Sequence, residues 1–398
     1  MARLETGTLA RELEVLERQH QRRQRRKVEA LPDPRHPERV SVDGRVLLNF
    51  CSNDYLGLRS HPDLISAASE CMQRYGVGAG AAHLVSGHSL EHSSLEAELA
   101  EFVERPRALL FSSGYLANLG VISVLAGRHQ LIAADRLNHA SLIDAAQLAG
   151  ARLRRYAHAD AAACARLLDE HGGARLIVTD GVFSMDGDIA PLASLARAAH
   201  AGGAWLVVDD AHGIGVLGAH GRGALEIAGL DTAAVPVLVG TLGKALGCFG
   251  AFVAGDTALI ETLIQRARTY IYTTAIPPAI AAATRAALRL VQREPWRRQQ
   301  LQRLVDRFRA GAAVRGLPLA SSPTPIQPVI VGDSARALAL SEALLQRGFW
   351  ISAIRPPTVP RGSARLRITL SAAHDEAQVD ALLAALGEVF ALESDHVG

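Results

Sequence analysis

From about residue 51 to residue 283, short apolar runs alternate with alanine- and leucine-rich stretches of helical period. No other feature constrains the fold as strongly. The runs at 108–111, 130–133, 152–156, 176–179, 205–208, 237–239 and 251–254 have the length of strands. Several are apolar throughout, as strands are when both faces of their sheet are covered. Stretches such as 160–171 and 191–201 supply the covering helices. The pattern predicts an α/β fold built on a large, mainly parallel sheet.

A chain of 398 residues can bury one large core and a smaller one. Past about residue 290 the pattern changes to a charged helix (296–315), strand 326–331, helix 334–347, strands 350–354 and 365–370, and a last helix. This predicts a smaller α+β C-terminal domain. Upstream, 9–29 reads as an exposed helix whose Glu12, Glu14 and Glu17 precede the basic block Arg22-Arg-Gln-Arg-Arg-Lys27. Pro32, Pro34 and Pro37 stop it, and 39–50 forms a hairpin about Asp43-Gly44. The expected pieces are 1–50, 51–290 and 291–398.

The formal charge of +2 gives no case for a nucleic-acid partner. The basic block reads as a solvated helix end complementing its dipole, with a nucleic-acid patch as the alternative. Four cysteines without a CxxC pair fit a reducing compartment. Neither a bilayer-length apolar run nor an apolar segment near Met1 is present, so a cytoplasmic protein with no membrane partner is expected.

The chemistry gathers around Thr241-Leu-Gly-Lys-Ala-Leu-Gly247, which follows an apolar run. Burial at a strand end disfavours the ammonium form of Lys244, and the glycines permit close approach of a ligand. A desolvated amine of this kind forms Schiff bases with aldehydes such as pyridoxal phosphate; a solvated loop lysine is the alternative. Asp209-Asp-Ala-His212 follows strand 205–208, where open α/β sheets bind ligands. A carboxylate there could pair with a protonated pyridine nitrogen, or cap a helix. By strand alternation Asp209 points into the pocket and Asp210 away.

His139, in Asn138-His-Ala-Ser141, could stack its ring on a planar cofactor or sit in a helix cap. Phe111-Ser-Ser-Gly-Tyr115 joins a strand to a helix whose N-terminus suits a phosphate. Arg355, held between a strand and the prolines of Ile354-Arg-Pro-Pro-Thr-Val-Pro360, suits a carboxylate, although a rigid surface arginine would look the same.

Two familiar fingerprints fail. Gly213-Ile-Gly-Val-Leu-Gly218 satisfies GxGxxG but lacks the strand–turn–helix context of a dinucleotide site. Gly243-Lys244 lacks the first glycine and the hydroxyl of a phosphate loop. His83, His88 and His92 invite a metal, but only Glu91 and Glu96 lie nearby to complete the set, and no metal is expected. Gly76-Val-Gly-Ala-Gly80 reads as a loop passing close to a ligand or subunit.

Taken in order, these motifs resemble the α-oxoamine synthases, pyridoxal-phosphate enzymes of the aspartate-aminotransferase fold (fold type I). The resemblance runs from about residue 50 to the last helix. It is carried by Phe50-Cys-Ser-Asn-Asp-Tyr-Leu-Gly57, His83-Leu-Val-Ser-Gly87, Gly181-Val-Phe-Ser-Met-Asp-Gly187, Asp209-Asp-Ala-His212, Thr241-Leu-Gly-Lys244 and Tyr270-Ile-Tyr-Thr273.

The resemblance implies that Lys244 is the Schiff-base lysine, that Asp209 pairs with the pyridinium nitrogen, that His139 stacks on the ring and that His212 contacts its hydroxyl. It implies cofactor contacts from Ser184 and Thr241, with Gly114 and Tyr115 in the phosphate turn. Thr273 or Thr274 would reach the phosphate of a second subunit, since the family's sites lie at a homodimer interface.

Ile354–Pro360 and the 83–88 stretch are similar to the family's biotin-pathway branch. That implies an acyltransferase joining L-alanine to a pimeloyl thioester of coenzyme A or acyl-carrier protein. Lys244 would then serve as base and His139 would polarise the acyl carbonyl. Arg355 and Thr358 would contact substrate, as would one N-terminal arginine, expected at Arg25 with Arg22, Arg23 and Arg26 open.

Overall fold

The computed structural model describes residues 6–29, 31, 33 and 35–394. Pro32 and Pro34, expected to stop the first helix, lie outside these residues. The chain divides into two compact units. One takes in Met1–Ser52, Met185–Gly187 and Leu301–Gly398, so the expected pieces 1–50 and 291–398 fall largely together. The other takes in Asn53–Ser184 and Asp188–Gln300.

The first unit begins with the helix Thr6–Arg18, shorter than the expected 9–29. Continuing it would stack Arg22 on Arg26 and Arg23 on Lys27, like charges four residues apart. The chain instead turns at His20 (φ 55°) and extends. Strand β1 (Val28–Glu29) pairs with β2 (Arg39–Val42), which forms the expected antiparallel hairpin with β3 (Arg45–Asn49). Asp43 and Gly44 both have positive φ (50° and 79°), the two-residue turn that matches strand twist.

The second unit is organised by seven strands: β4 (Arg107–Phe111), β5 (Leu131–Asp135), β6 (Arg152–Tyr156), β7 (Leu176–Asp180), β8 (Trp205–Asp209), β9 (Val237–Thr241) and β10 (Ala251–Gly255). Their order is β4-β10-β9-β8-β7-β5-β6. The β6, β5, β7, β8 and β9 strands run parallel, while β10 is antiparallel to both β9 and β4. Ile132, Val178, Val207 and Val239 are fully buried and pack with side chains of the helices Gly114–Leu125, Ala140–Leu148 and Thr257–Arg266.

All seven strands were expected from the sequence, several of them as apolar runs, but four continue to a polar residue: Asp135, Asp180, Asp209 and Thr241. The three aspartates are buried. The helix Pro278–Arg293 opens on proline, as expected, and lays its alanines on the helix Pro62–Tyr75.

In the remainder of the first unit, β11 (Ile326–Gly332), β14 (Ala364–Thr369) and β13 (Ser352–Ile354) form an antiparallel sheet in the order β11-β14-β13. The helix Ser334–Gln346 packs on all three. The single strand expected at 350–354 is two. β12 (Phe349–Trp350) runs parallel to β3 in the N-terminal sheet, and the chain passes through buried Ile351 to supply β13. Among the described residues, no helix is long and apolar enough to cross a membrane.

Candidate active site

The C-terminal ends of β5, β7, β8 and β9 bring together residues that are distant in sequence. Lys244 follows β9 on a loop folded tightly against its surroundings. A Cβ on Gly247 (φ +67°) would stand 2.5 Å from the Arg59 amide nitrogen, and one on Gly215 would stand 2.7 Å from the Ala245 Cβ. Thus a glycine of the rejected GxGxxG run admits the lysine loop. Thr241 Oγ1 donates to the Gly250 carbonyl (3.1 Å) and accepts the Gly243 N–H (3.3 Å), pinning the start of that loop.

The charge of Lys244 acts on three groups. It lowers the pKa of His139, adding to desolvation and working against Asp209. It also opposes the upward push that burial, then Asp209, gives to Asp180. Burial raises Asp210 to about 8 against the Ala224 N–H and Lys244, so Asp210 holds a proton at neutral pH.

Asp209 and Asp210 face different surroundings, as alternation requires. Asp209 Oδ1 accepts the N–H of Ala211 (3.1 Å), and its Oδ2 accepts from Asn118 Nδ2 at 2.6 Å. Asp210 Oδ2 accepts the Ala224 N–H at 2.6 Å. His212 is buried with its Nδ1 2.7 Å from the Tyr55 hydroxyl, itself fully buried.

His139 sits at the N-cap of the helix Ala140–Leu148, with its N–H donated to Asp180 Oδ2 at 2.7 Å. The residue is exposed, which leaves a face of the ring open for stacking. Its Nδ1 lies 2.7 Å from Ser141 Oγ and 3.3 Å from the Ser141 amide nitrogen. Ser141 in turn accepts from Asn118 Nδ2 at 2.9 Å.

Asn118 is fully buried, and its Oδ1 lacks a hydrogen-bond partner. An orphaned acceptor costs about 1–3 kcal/mol, which the charge-assisted bond to Asp209 offsets. The expectations drawn from sequence gave roles to neither Asn118 nor Ser141 nor Tyr55. A lone asparagine in the apolar helix Gly114–Leu125 was the available signal.

At the start of that helix, Ser113 caps the Leu116 N–H, while the helix provides no carbonyls for the N–H groups of Gly114 and Tyr115. Apart from its chain neighbours and the backbone of its own helix, no atom of the described residues lies within 4 Å of where a Gly114 Cβ would stand. The opening can take an anion against the two N–H groups. The Tyr115 hydroxyl is turned to Asp144. Ser184 lies half-buried in a loop closed by the Val182–Ile189 bridge, and exposed Thr274 bridges to Ala82, beyond Gly76–Gly80.

The substrate candidates lie in the first unit. Arg23 donates to Thr358 Oγ1 at 3.0 Å, and Arg355 approaches the Arg22 carbonyl at 3.5 Å. Burial, then the Arg23 charge, holds the Arg355 pKa down. Arg26 pairs with Glu342 and Asp43, and Arg22 with Glu17. The geometry therefore favours Arg23, rather than Arg25, as the partner of Thr358.

His83, His88 and His92 do come together, with candidate ligand atoms within 4.8 Å of one another. The Nδ1 of His92 accepts the Ser89 N–H (2.9 Å), and its Nε2 lies 2.7 Å from the Ile276 carbonyl oxygen. His83 and His88 meet through their Nδ1 atoms at 2.9 Å. Both ring nitrogens of His92 are thus engaged within the protein.

An amine, a buried carboxylate, an open imidazole face and a helix N-terminus with free N–H groups are what an aldehyde-bearing, phosphorylated pyridine requires. The residues present fit pyridoxal phosphate.

Comparisons with known proteins agree. The family model for class I and II aminotransferases matches residues 45–386. The chain is 61% identical over 373 residues to an 8-amino-7-oxononanoate synthase of Methylococcus capsulatus, covering 94% of this chain and 95% of that one. It is 62% identical over 351 residues to that of Nitrosococcus oceani, covering 88% and 93%. Among solved structures, the serine palmitoyltransferase of Sphingomonas wittichii is similar at a TM-score of 0.90, with 31% identity and 96% of each chain covered. The 8-amino-7-oxononanoate synthase of Francisella tularensis is similar at 0.77, with 34% identity over 87% of this chain and 99% of that one. By sheet order, by the lysine at the end of β9 and by these likenesses, the chain belongs to the class I and II aminotransferase family, pyridoxal-phosphate enzymes of fold type I.

Proposed function

We propose that this chain is an 8-amino-7-oxononanoate synthase, condensing L-alanine with a pimeloyl thioester in biotin biosynthesis. One observation carries the reading. Lys244, Asp209 and His139 meet at the strand ends of a chain 61% identical to such a synthase along nearly its whole length.

Bound pyridoxal phosphate supplies an electron sink that makes the Cα–H of an amino acid acidic. Lys244 would hold it through Nζ, and the same amine would take the Cα proton of alanine. Asp209 would keep a proton on the pyridine nitrogen, and His212, backed by Tyr55, would contact the ring hydroxyl. Gly114 and Tyr115 would hold the phosphate, while Ser184 and Thr241 would contribute hydroxyls.

Alanine Cα then attacks the acyl carbon, with the carbonyl oxygen stabilised by His139. The C–S bond breaks and the thiol leaves with a proton. Loss of the alanine carboxyl as CO2 and return of a proton to Cα complete the product. Arg355, Thr358 and Arg23 orient the substrates through their carboxylate and amide groups.

The protein acts as a homodimer. Val77, Val85 and Tyr272 are 79%, 80% and 71% exposed around the 76–85 approach and Thr273–Thr274, apolar surface that a second copy would cover. Thr273 or Thr274 would reach the cofactor phosphate of the second copy. The four cysteines are free thiols, in keeping with the cytoplasm.

The test incubates the cofactor-loaded protein with L-alanine or glycine and with pimeloyl-CoA or pimeloyl-carrier protein, then weighs the product. The amino ketone from alanine is expected. Preference for glycine, or no product from either thioester, overturns the reading.

A further inference from the structure

We infer that Asn118 and Ser141 are positioning residues that hold His139 as a neutral imidazole carrying its proton on Nε2. The argument is one of donor counting. Asn118 Nδ2 lies 2.6 Å from Asp209 Oδ2 and 2.9 Å from Ser141 Oγ. A carboxylate only accepts, so the amide must turn its NH2 group toward Asp209, and its two hydrogens go one to each neighbour. The partnerless Oδ1 of Asn118 marks the same orientation, since the flipped amide would set oxygen against oxygen.

Ser141 Oγ thereby receives a hydrogen from Asn118. Its single O–H is left to donate 2.7 Å away to His139 Nδ1, where the Ser141 backbone N–H also points from 3.3 Å. Two donors aimed at one ring nitrogen make it an acceptor, and the proton of the neutral ring must sit on the other nitrogen. Ser141 is fully buried, so water does not compete for its hydroxyl.

The relay Asp209–Asn118–Ser141–His139 spans three elements: β8, the helix Gly114–Leu125 and the N-terminus of the helix Ala140–Leu148. It couples the carboxylate assigned to the pyridine nitrogen with the imidazole assigned to the acyl carbonyl. The use of the Nε2–H as a donor to that carbonyl oxygen rests on the condensation proposed above. The tautomer itself rests only on the hydrogen bonds.

The test reads the tautomer directly. In protein carrying 15N-histidine, with and without pyridoxal phosphate, two-bond proton–nitrogen spectra distinguish a protonated from a bare ring nitrogen, and His139→Gln assigns the signal. The expected wild-type result is a bare Nδ1 and a protonated Nε2. Ser141→Ala and Asn118→Ala should mix the tautomers, and Ser141→Thr, which keeps the hydroxyl, should restore the wild-type pattern.

In turnover, the two alanine variants should lose about 10- to 100-fold in kcat with KM for L-alanine little changed, as for a misoriented group. Ser141→Thr should recover most of that loss. A protonated Nδ1 in the wild type, or Ser141→Ala with unaltered tautomer and kcat, overturns the inference. The expected spectra in a protein that makes no amino ketone would overturn the proposed function and leave the tautomer standing.

Discussion

The Nε2 of His158 lies 2.8 Å from Oδ2 of Asp188, while its Nδ1 lies 3.0 Å from Oδ1 of Asp135. Both ring nitrogens face carboxylates, so the ring is an imidazolium. Asp135 ends β5, and Asp188, through its carbonyl, accepts the Phe183 N–H at 3.0 Å in the loop that carries Ser184. The cation therefore ties that loop to the strand preceding His139.

Burial works against this charge, but the two carboxylates prevail and raise the His158 pKa to about 10. An unfolded histidine titrates near 6.5. Between these values the folded chain binds the extra proton, so the stabilisation is complete below about pH 6.5 and is lost as pH rises through about 10. His158→Gln should be less stable than wild type by roughly 1–3 kcal/mol at pH 6.5, discounted for partial solvation, with the gap closing toward pH 10. Urea unfolding at a series of pH values measures it; a constant gap would refute the assignment.

Lys244→Ala should reduce turnover at least about 10⁴-fold, because it removes both the anchor and the base. The cofactor-loaded variant should also lack the visible absorbance of lysine-bound pyridoxal phosphate. Spectra and product formation on the same sample check both losses together.

Arg23 and Arg25 make a sharper pair. Both are exposed, but Arg23 donates to Thr358 and lies close enough to lower the Arg355 pKa. Arg23→Ala should raise KM for the pimeloyl thioester about tenfold or more, a charge-assisted contact being worth about 1.5–3 kcal/mol. Arg25→Ala should leave it within about twofold. Steady-state kinetics of the two variants decide between them.

This choice also shows what the sequence could not display. In Arg22–Lys27 several arginines are interchangeable by composition, and only a contact with Thr358, 335 positions away, separates them. Whereas the exposed β6 carries three arginines, the interiors of the central strands were legible because burial on both faces leaves mostly apolar residues. Their functional ends were not, because Asp135, Asp180 and Asp209 read locally as loop residues although they are buried. Lys244, His139 and Asp209 could be found from ordered motifs. Asn118 and Ser141 could not, since their meaning lies in the hydrogen bonds they make across elements.

Gly213 offers a test of packing behind the site. A Cβ there would stand 2.1 Å from Asp210 Oδ1, and the Asp210 carboxyl is fully buried with its Oδ2 committed to the Ala224 N–H. A short side chain fixed in this way cannot swing aside, so Gly213→Ala should destabilise by about 1–3 kcal/mol through overpacking. Asp210→Ala alone should also destabilise, by leaving the Ala224 N–H without its acceptor. In the double variant the new methyl occupies space vacated by the carboxyl, so the two costs should fall short of additivity by at least about 0.5 kcal/mol. Thermal or urea unfolding of the four proteins closes the cycle. Strict additivity would mean that the Gly213 methyl and the Asp210 carboxyl never compete for the same space.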